Sequence, residues 1–367
     1  MVYFPIASFV VSLLLTLIII RSASRHQSLS ADRDLTGPQK FHSRAVPRIG
    51  GIGVFAAMIA GAWLAQLARP EDGIQMYLLL GAALPAFGAG LAEDLTKRVS
   101  PRRRLLFTAV SAALGIWLVD ATILRSAIPG IDYLIAFTPF AMLLTVFVVT
   151  GVANAVNIID GFNGLASMCV VIMMLAIAYV AFQVGDEFVM LAALSTAGAI
   201  LGFFVWNFPA GLIFLGDGGA YFLGFILAEL SILLFRRNVA VSPLFTLLLC
   251  AYPIFETLFS IYRKRYLRGI SPGIPDGVHL HMLIYRRLIR WAVGDRGAKT
   301  LTRRNSMTSP YLWLLCLFSV IPAVLWWNNS AVLTVFLFLF MVSYVLLYWS
   351  IVRFKSPKWL VVRRHKW

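Results

Sequence analysis

The chain is written in blocks of apolar residues close to 20 long, separated by short polar connections. A helix of that length rises about 30 Å, the thickness of a bilayer's hydrocarbon core. Blocks at 3–20, 50–68, 75–92, 105–124, 133–152, 164–183, 187–206, 219–235, 241–261, 309–328 and 331–351 predict eleven spans. The expected fold is therefore all-α, a polytopic integral membrane protein with one transmembrane domain over residues 1–367. The first block has no early basic cluster and no small-residue cleavage site, so it reads as a retained span that Arg21 and Arg25 stop.

Composition agrees with that pattern. Of 367 residues, 60% are hydrophobic and 13% charged, against roughly a quarter charged in an ordinary globular domain, which excludes a soluble two-domain protein. Lys and Arg number 32 against 16 Asp and Glu, a formal net charge of +16. In a soluble protein this excess would invite a nucleic-acid reading; here it decides sidedness, and no nucleic-acid partner is expected. The connections 21–49, 93–104, 153–163, 207–218 and 262–308, with the tail 352–367, hold 28 of the 32 basic residues. The other side holds Arg69, Arg125, Arg236 and Arg237. Basic residues stay on the cytoplasmic side, so the N-terminus is expected in the periplasm, the C-terminus in the cytoplasm, and those five loops on one cytoplasmic face beside a basic tail. Cys169, Cys250 and Cys316 sit in separate apolar blocks without CxxC spacing, so neither a disulfide framework nor a zinc site is indicated.

Topology and anionic-lipid contact explain basic loops readily, but acidic residues contribute little to topology, and eight of the sixteen lie in the same cytoplasmic segments. Glu93-Asp94 opens the basic stretch containing Lys97, Arg98, Arg102, Arg103 and Arg104. Adjacent carboxylates repel unless a metal, a shared proton or a guanidinium lies between them; a helix-end pair neutralised by Lys97 and Arg98 is the alternative. Asn154, Asn157 and Asp160 recur every three residues, forming a polar stripe on a helix end that runs into Gly161 and Gly164. Asn207 opens a connection that places Phe214 and then Asp217 among three glycines before the next span. Asp217 could cap that helix or hold a hard cation such as Mg²⁺ against a phosphate, and Phe214 could stack on a base. Asp276 precedes His279-x-His281, with Arg286 and Arg287 following. The His pair could ligate zinc, but no third ligand is close in sequence, so phosphate binding beside the arginines fits better. Together these groups suit Mg²⁺ and a nucleotide diphosphate within reach of a lipid phosphate.

The series Gly50-Gly51, Glu93-Asp94, Asn154-x-x-Asn157-x-x-Asp160-Gly161, Gly216-Asp217-x-Gly219 and His279-x-His281 resembles the polyprenyl-phosphate N-acetylhexosamine-1-phosphate transferases, from about residue 38 to 287. The resemblance implies a multi-pass protein of the bacterial inner membrane with its active site at the cytoplasmic face. Such enzymes move a sugar-1-phosphate from a UDP-N-acetylhexosamine to undecaprenyl phosphate, releasing UMP. It implies Mg²⁺, with Mn²⁺ as a substitute, held by Asp217 and Asp94, and a catalytic set of Glu93, Asp94, Asp160 and Asp217. By the same resemblance Asn154, Asn157, Asn207 and Phe214 would line the diphosphate and nucleotide pocket. Lys40, His42, Arg44, Lys97, His279, His281 and Arg286 would contact phosphate or sugar groups. The membrane lipid is then solvent and substrate source together, and a homodimer is compatible with this scheme.

The chain departs from the family pattern at Glu93, where Asp is usual, at Met282 in place of a third His, and at Ala220 in place of Ser. Asn163 stands for the second Asp of an Asp-Gly-x-Asp-Gly form, which draws the chain toward the initiating enzymes of O-antigen and capsule synthesis. A polytopic transporter or lipid-carrier flippase is the competing reading. It would place polar residues near mid-bilayer, where only Glu229 and Glu256 are candidates.

Overall fold

The computed structural model describes residues 3–23, 31–32, 46–271, 277–289 and 298–353. The helices, in chain order, are α1 (Tyr3–Arg21), α2 (Gly50–Ala68), α3 (Pro70–Thr96), α4 (Pro101–Val119), α5 (Ile131–Ile135), α6 (Thr138–Ile159), α7 (Leu165–Val184), α8 (Glu187–Asn207) and α9 (Gly216–Arg237). They continue with α10 (Pro243–Leu249), α11 (Ala251–Tyr262), α12 (Leu280–Leu283), α13 (Ala298–Leu325) and α14 (Ser330–Val352). Two π turns, Arg263–Leu267 and Ile284–Leu288, follow α11 and α12. The only extended pairing among the described residues is Ala31–Asp32 against Val46–Pro47, antiparallel.

Nine described helices are long and apolar enough to cross a membrane, or ten if α10 and α11, bent by 68°, form one span. The fold is an all-α polytopic membrane protein. The expected eleven is reached only by adding α4, which occupies the fourth predicted block but carries Arg102, Arg103 and Arg104 in its first turn. The fifth span is displaced: the block expected at 133–152 is a helix over Thr138–Ile159, so Asn154 and Asn157 lie on its last turns and not in a connecting loop. Likewise Glu93 and Asp94 belong to the end of α3, and Arg104 to the start of α4.

Helix α9 is the axis of the bundle, buried from Gly218 to Phe235 and packed by α2, α3, α6 and α7. The periphery is the reverse of a soluble protein's. Trp117, Leu143, Phe147, Phe338 and Leu346 are largely exposed, an apolar surface suited to lipid. Inside, close approach takes the place of a hydrophobic drive, which lipid does not supply. Ser8, Ser12 and Thr16 of α1 form a buried small-residue stripe facing Gly53 and Gly61 of α2, and Gly202 of α8 lies against the same helix. Pro85 interrupts α3, and the neighbouring Ala86 N–H donates to the Ser111 hydroxyl of α4 at 2.9 Å, which satisfies it in a medium without water.

At 22 residues α9 is about 33 Å long, so its ends lie a hydrocarbon thickness apart. Around its C-terminal end gather the four basic residues expected on the far side. Arg236 pairs with Asp120, Arg237 with Asp186, and Arg69 with Glu187. Arg125 donates to the carbonyls of Phe235, Asn238 and Val241, the unsatisfied acceptors that a helix end leaves. These four are structural staples. The polar clusters singled out in the sequence gather at the other end.

Candidate active site

The N-terminus of α9 organises the site. Its first amides lack intrahelical partners, and Asp94, at the end of α3, accepts from Asp217 N–H at 3.0 Å and Gly218 N–H at 2.9 Å. The cap thus comes from a different helix, and Asp217, which could have served, has its side chain free of that duty. Asp94 is 1% exposed with both oxygens engaged. The resemblance placed it on the metal; in the structure its two hydrogen bonds fix the backbone of Asp217. The approach is tight: a Cβ on Gly90 would fall 2.6 Å from the Asp217 carbonyl.

The second support is the segment before α2. Phe214 N–H donates to Pro47 O at 2.8 Å, Gly50 N–H to Phe214 O at 3.0 Å and Gly51 N–H to Leu215 O at 2.9 Å. This stitching places Arg48 beside both carboxylates, with Nε 3.7 Å from Asp94 Oδ1 and Nη2 3.6 Å from Asp217 Oδ1. Arg104 pairs with Asp217 Oδ2. Asn157 donates from Nδ2 to Asp217 Oδ1 at 3.0 Å. Asp217 is therefore the node at which α3, α4, α6 and α9 meet.

A cavity of about 380 Å³ opens beside it, lined by Arg48, Arg104, Asn157, Asp160, Phe214 and Asp217, and across from them by His279 and His281. Asp160 follows the last residue of α6. Burial, then the Asp217 charge, push its carboxyl up to about 7, against the pull of Arg48. On the opposite wall Glu256 Oε1 lies 3.0 Å from His279 Nδ1 and accepts the Leu280 N–H at 2.9 Å, while Tyr344 O–H donates to its Oε2 at 3.0 Å. A carboxylate at Nδ1 keeps the proton on that nitrogen and leaves Nε2 as the ring atom available to the cavity. His281 stacks on His279 with ring centres 5.2 Å apart. It is fully buried, and burial drives its pKa down to about 3 although the Glu256 carboxylate opposes this, so it is a neutral imidazole.

Of the residues expected at the site, Asp160, Asp217, Asn157, Asn207, Phe214, His279 and His281 line this cavity. Asn207 accepts the Gly164 N–H at 2.6 Å and donates to Ile213 O at 2.7 Å, so it braces two loops where it lines the cavity. Asn154 lies one turn back, accepting from Tyr221 O–H at 3.2 Å. Glu93 accepts the Val99 N–H at 2.7 Å and shapes the α3–α4 turn, with Lys97 in the left-handed region as the C-cap of α3. Arg286 donates to Gly277 O at 2.9 Å. Neither Glu93, Lys97 nor Arg286 lines the cavity. Lys40, His42, Arg44 and Asp276 lie outside the described residues. Arg48, Arg104 and Asn305 line the cavity without having been singled out, since arginines in basic loops look like topology signals. Asn305 reaches the site from α13, accepting the Asn163 N–H at 2.8 Å.

The carboxylate and amide oxygens at the cavity are hard donors, which suit Mg²⁺. Among the described residues no three Asp, Glu, His or Cys side chains form a ready metal cluster. Mg²⁺ takes one or two carboxylates and completes its shell with phosphate oxygens and water, so it does not require such a cluster. The cluster lies at helix ends, not at mid-bundle as a transporter would have it.

Residues 76–235 match the model of glycosyl transferase family 4. A probable undecaprenyl-phosphate N-acetylglucosaminyl 1-phosphate transferase of Bacillus subtilis is 29% identical over 79% of this chain and 79% of its own. An undecaprenyl-phosphate alpha-N-acetylglucosaminyl 1-phosphate transferase of Thermotoga maritima is 28% identical over 70% of this chain and 74% of its own. A phospho-N-acetylmuramoyl-pentapeptide-transferase of Oceanobacillus iheyensis is 30% identical over 62% of this chain and 74% of its own. With carboxylates, amides and paired histidines converging around the start of α9, and with relatives of this kind over most of its length, the chain belongs to glycosyl transferase family 4, the polyprenyl-phosphate sugar-1-phosphate transferases.

Proposed function

We propose that the protein transfers N-acetylhexosamine-1-phosphate from a UDP-sugar to undecaprenyl phosphate at the cytoplasmic face of a bacterial inner membrane, as the first membrane step of O-antigen or capsule synthesis. The observation that carries this reading is the mixed-sign cavity, lined by Asp160 and Asp217, by Arg48 and Arg104 beside them, and by the stacked His279–His281 pair. Guanidiniums bind phosphate oxygens in bidentate fashion, and carboxylates at the same place call for a cation between them and a diphosphate. The acceptor, undecaprenyl phosphate, and the transferred group, N-acetylglucosaminyl 1-phosphate, are those in the names of the B. subtilis and T. maritima relatives.

An oxygen of the acceptor phosphate bonds to the β-phosphorus of the UDP-sugar, the bond from that phosphorus to the bridging oxygen breaks, and UMP leaves with the electron pair. Positioning and charge neutralisation are what a protein contributes to such a transfer. Arg48 and Arg104 orient the diphosphate, and His279 Nε2, held outward by Glu256, takes the proton that a singly ionised acceptor phosphate still carries. Asn157 and Asp94 hold Asp217 in place, and Phe214 offers a face to the uracil. Mg²⁺ held by Asp217, with Asp160 beside it, would offset charge on the diphosphate and the departing UMP.

Purified protein in detergent, given Mg²⁺, undecaprenyl phosphate and a panel of UDP-N-acetyl sugars, is expected to release UMP with at least one of them. Asp217→Asn is expected to lower the rate at least about a hundredfold while the protein stays folded. No UMP from any sugar in the panel defeats the donor assignment, whereas normal turnover by Asp217→Asn defeats only the role of that residue.

A further inference from the structure

A second cavity, of about 250 Å³, lies at the same end of the molecule and shares no lining residue with the first. The two stand back to back across one short segment: Val278 and Leu283 face the second cavity, His279, His281 and Met282 the first. The far walls are the end of α11 with its π turn and the last turns of α14.

The chemistry of this cavity is that of an anionic amphiphile. Arg263, Arg268 and Arg287 line it together with Leu267, Tyr348 and Trp349, and no carboxylate is among the described lining residues. Two of the arginines are anchored. Arg263 donates to the Tyr348 hydroxyl at 3.1 Å and the Ser260 hydroxyl at 3.4 Å, and Arg287 donates to Ile351 O at 2.9 Å and Val352 O at 2.5 Å. Arg268 is exposed. Both arginine-bearing stretches are π turns, a rare geometry concentrated at functional positions. Around the mouth Tyr262, Tyr266, Leu267 and Trp349 are exposed, the aromatic girdle typical of a membrane–water boundary. Leu258 and Ile261 continue an exposed apolar strip along α11.

We propose that this cavity binds the headgroup phosphate of an anionic glycerophospholipid of the phosphatidylglycerol type, with its acyl chains along α11 and α14. A soluble phosphate would use the arginines and ignore the apolar mouth; a zwitterionic lipid would bring an ammonium into a positively charged lining. The bound lipid ties α11 and α14 to the back of the segment that carries His279 and His281, to which Tyr348 already reaches by donating to Val278 O at 3.1 Å. The anionic lipid then acts as a brace for one wall of the active site without entering it.

The test is lipid titration of the delipidated full chain in detergent, followed by melting temperature, with phosphatidylglycerol, phosphatidylcholine and glycerol phosphate as probes. Phosphatidylglycerol alone is expected to raise the melting temperature. Arg268→Gln is expected to weaken its apparent affinity about fivefold, the effect of one basic residue at an anionic lipid surface. Val352→Trp, which fills the cavity without altering charge, is expected to abolish the response while melting normally without lipid. An equal response to phosphatidylcholine, an equal response to glycerol phosphate, or a phosphatidylglycerol response unchanged in both variants overturns the site. The readout needs neither donor nor acceptor substrate, so such a failure leaves the transferase reading untouched.

Discussion

Asp160 and Asp217 were legible in the sequence because a carboxylate among glycines beside an apolar block has few structural reasons to be there. Asp94 was legible too, but its task was not: that it caps a helix more than a hundred residues away depends on how α3 lies against α9. Asp160 also fixes a pH dependence. Its carboxyl is raised from 3.8 to about 7, so between those values the folded protein keeps a proton that the unfolded chain releases. By linkage this contribution is fully present below about pH 4 and lost as pH rises through 7. Mg²⁺ at the site would offset that loss by favouring the ionised form. Mg²⁺ is therefore expected to raise the melting temperature more at pH 8 than at pH 6, and Asp160→Asn to reduce the difference. An equal rise at both values in the wild type would detach Asp160 from the cation.

At the scale of elements, the entry into α9 is the part on which the site depends. Gly216 has φ +78°, and a Cβ there would collide with the Arg48 carbonyl and with Asp94 Oδ2. Gly216→Ala therefore meets both left-handed strain and a clash. A loss of at least about 2 kcal/mol is expected, measured by thermal unfolding, with UMP release falling further because the carbonyl of Arg48 and the cap from Asp94 are pushed off together. Wild-type stability in that variant would show that the turn has room to relax. The sequence pattern located every long helix but misplaced α6, because its last turns carry Asn154 and Asn157, which lower the local hydropathy without breaking the helix. Hydropathy measures contact with lipid, and those turns face protein and the cavity. The π turns and the 68° bend between α10 and α11 left no mark in the apolar pattern for the same reason.

For the whole molecule, the two ends of α9 separate structural charge from functional charge. Arg69, Arg125, Arg236 and Arg237 are consumed by acidic side chains and helix carbonyls at one end, while Arg48 and Arg104 flank the cavity at the other. Sidedness then becomes testable by labelling, since the native cysteines are buried. A cysteine at Val239, which is 83% exposed, is expected to react with an impermeant maleimide from the periplasmic side. One at Arg98 is expected to react only after permeabilisation, and the reverse pattern would invert the proposed orientation. Class of fold, the approximate places of the long helices other than α6, and the carboxylates worth watching were determined by the sequence alone, because block length and charge placement are set residue by residue against a slab of fixed thickness. Which groups meet was decided only in three dimensions. Arg48 from before α2, Arg104 from α4, Glu256 from α11 and Asn305 from α13 come together because small residues let the helices approach closely around α9, and no local pattern in a chain encodes the distance between helices hundreds of residues apart.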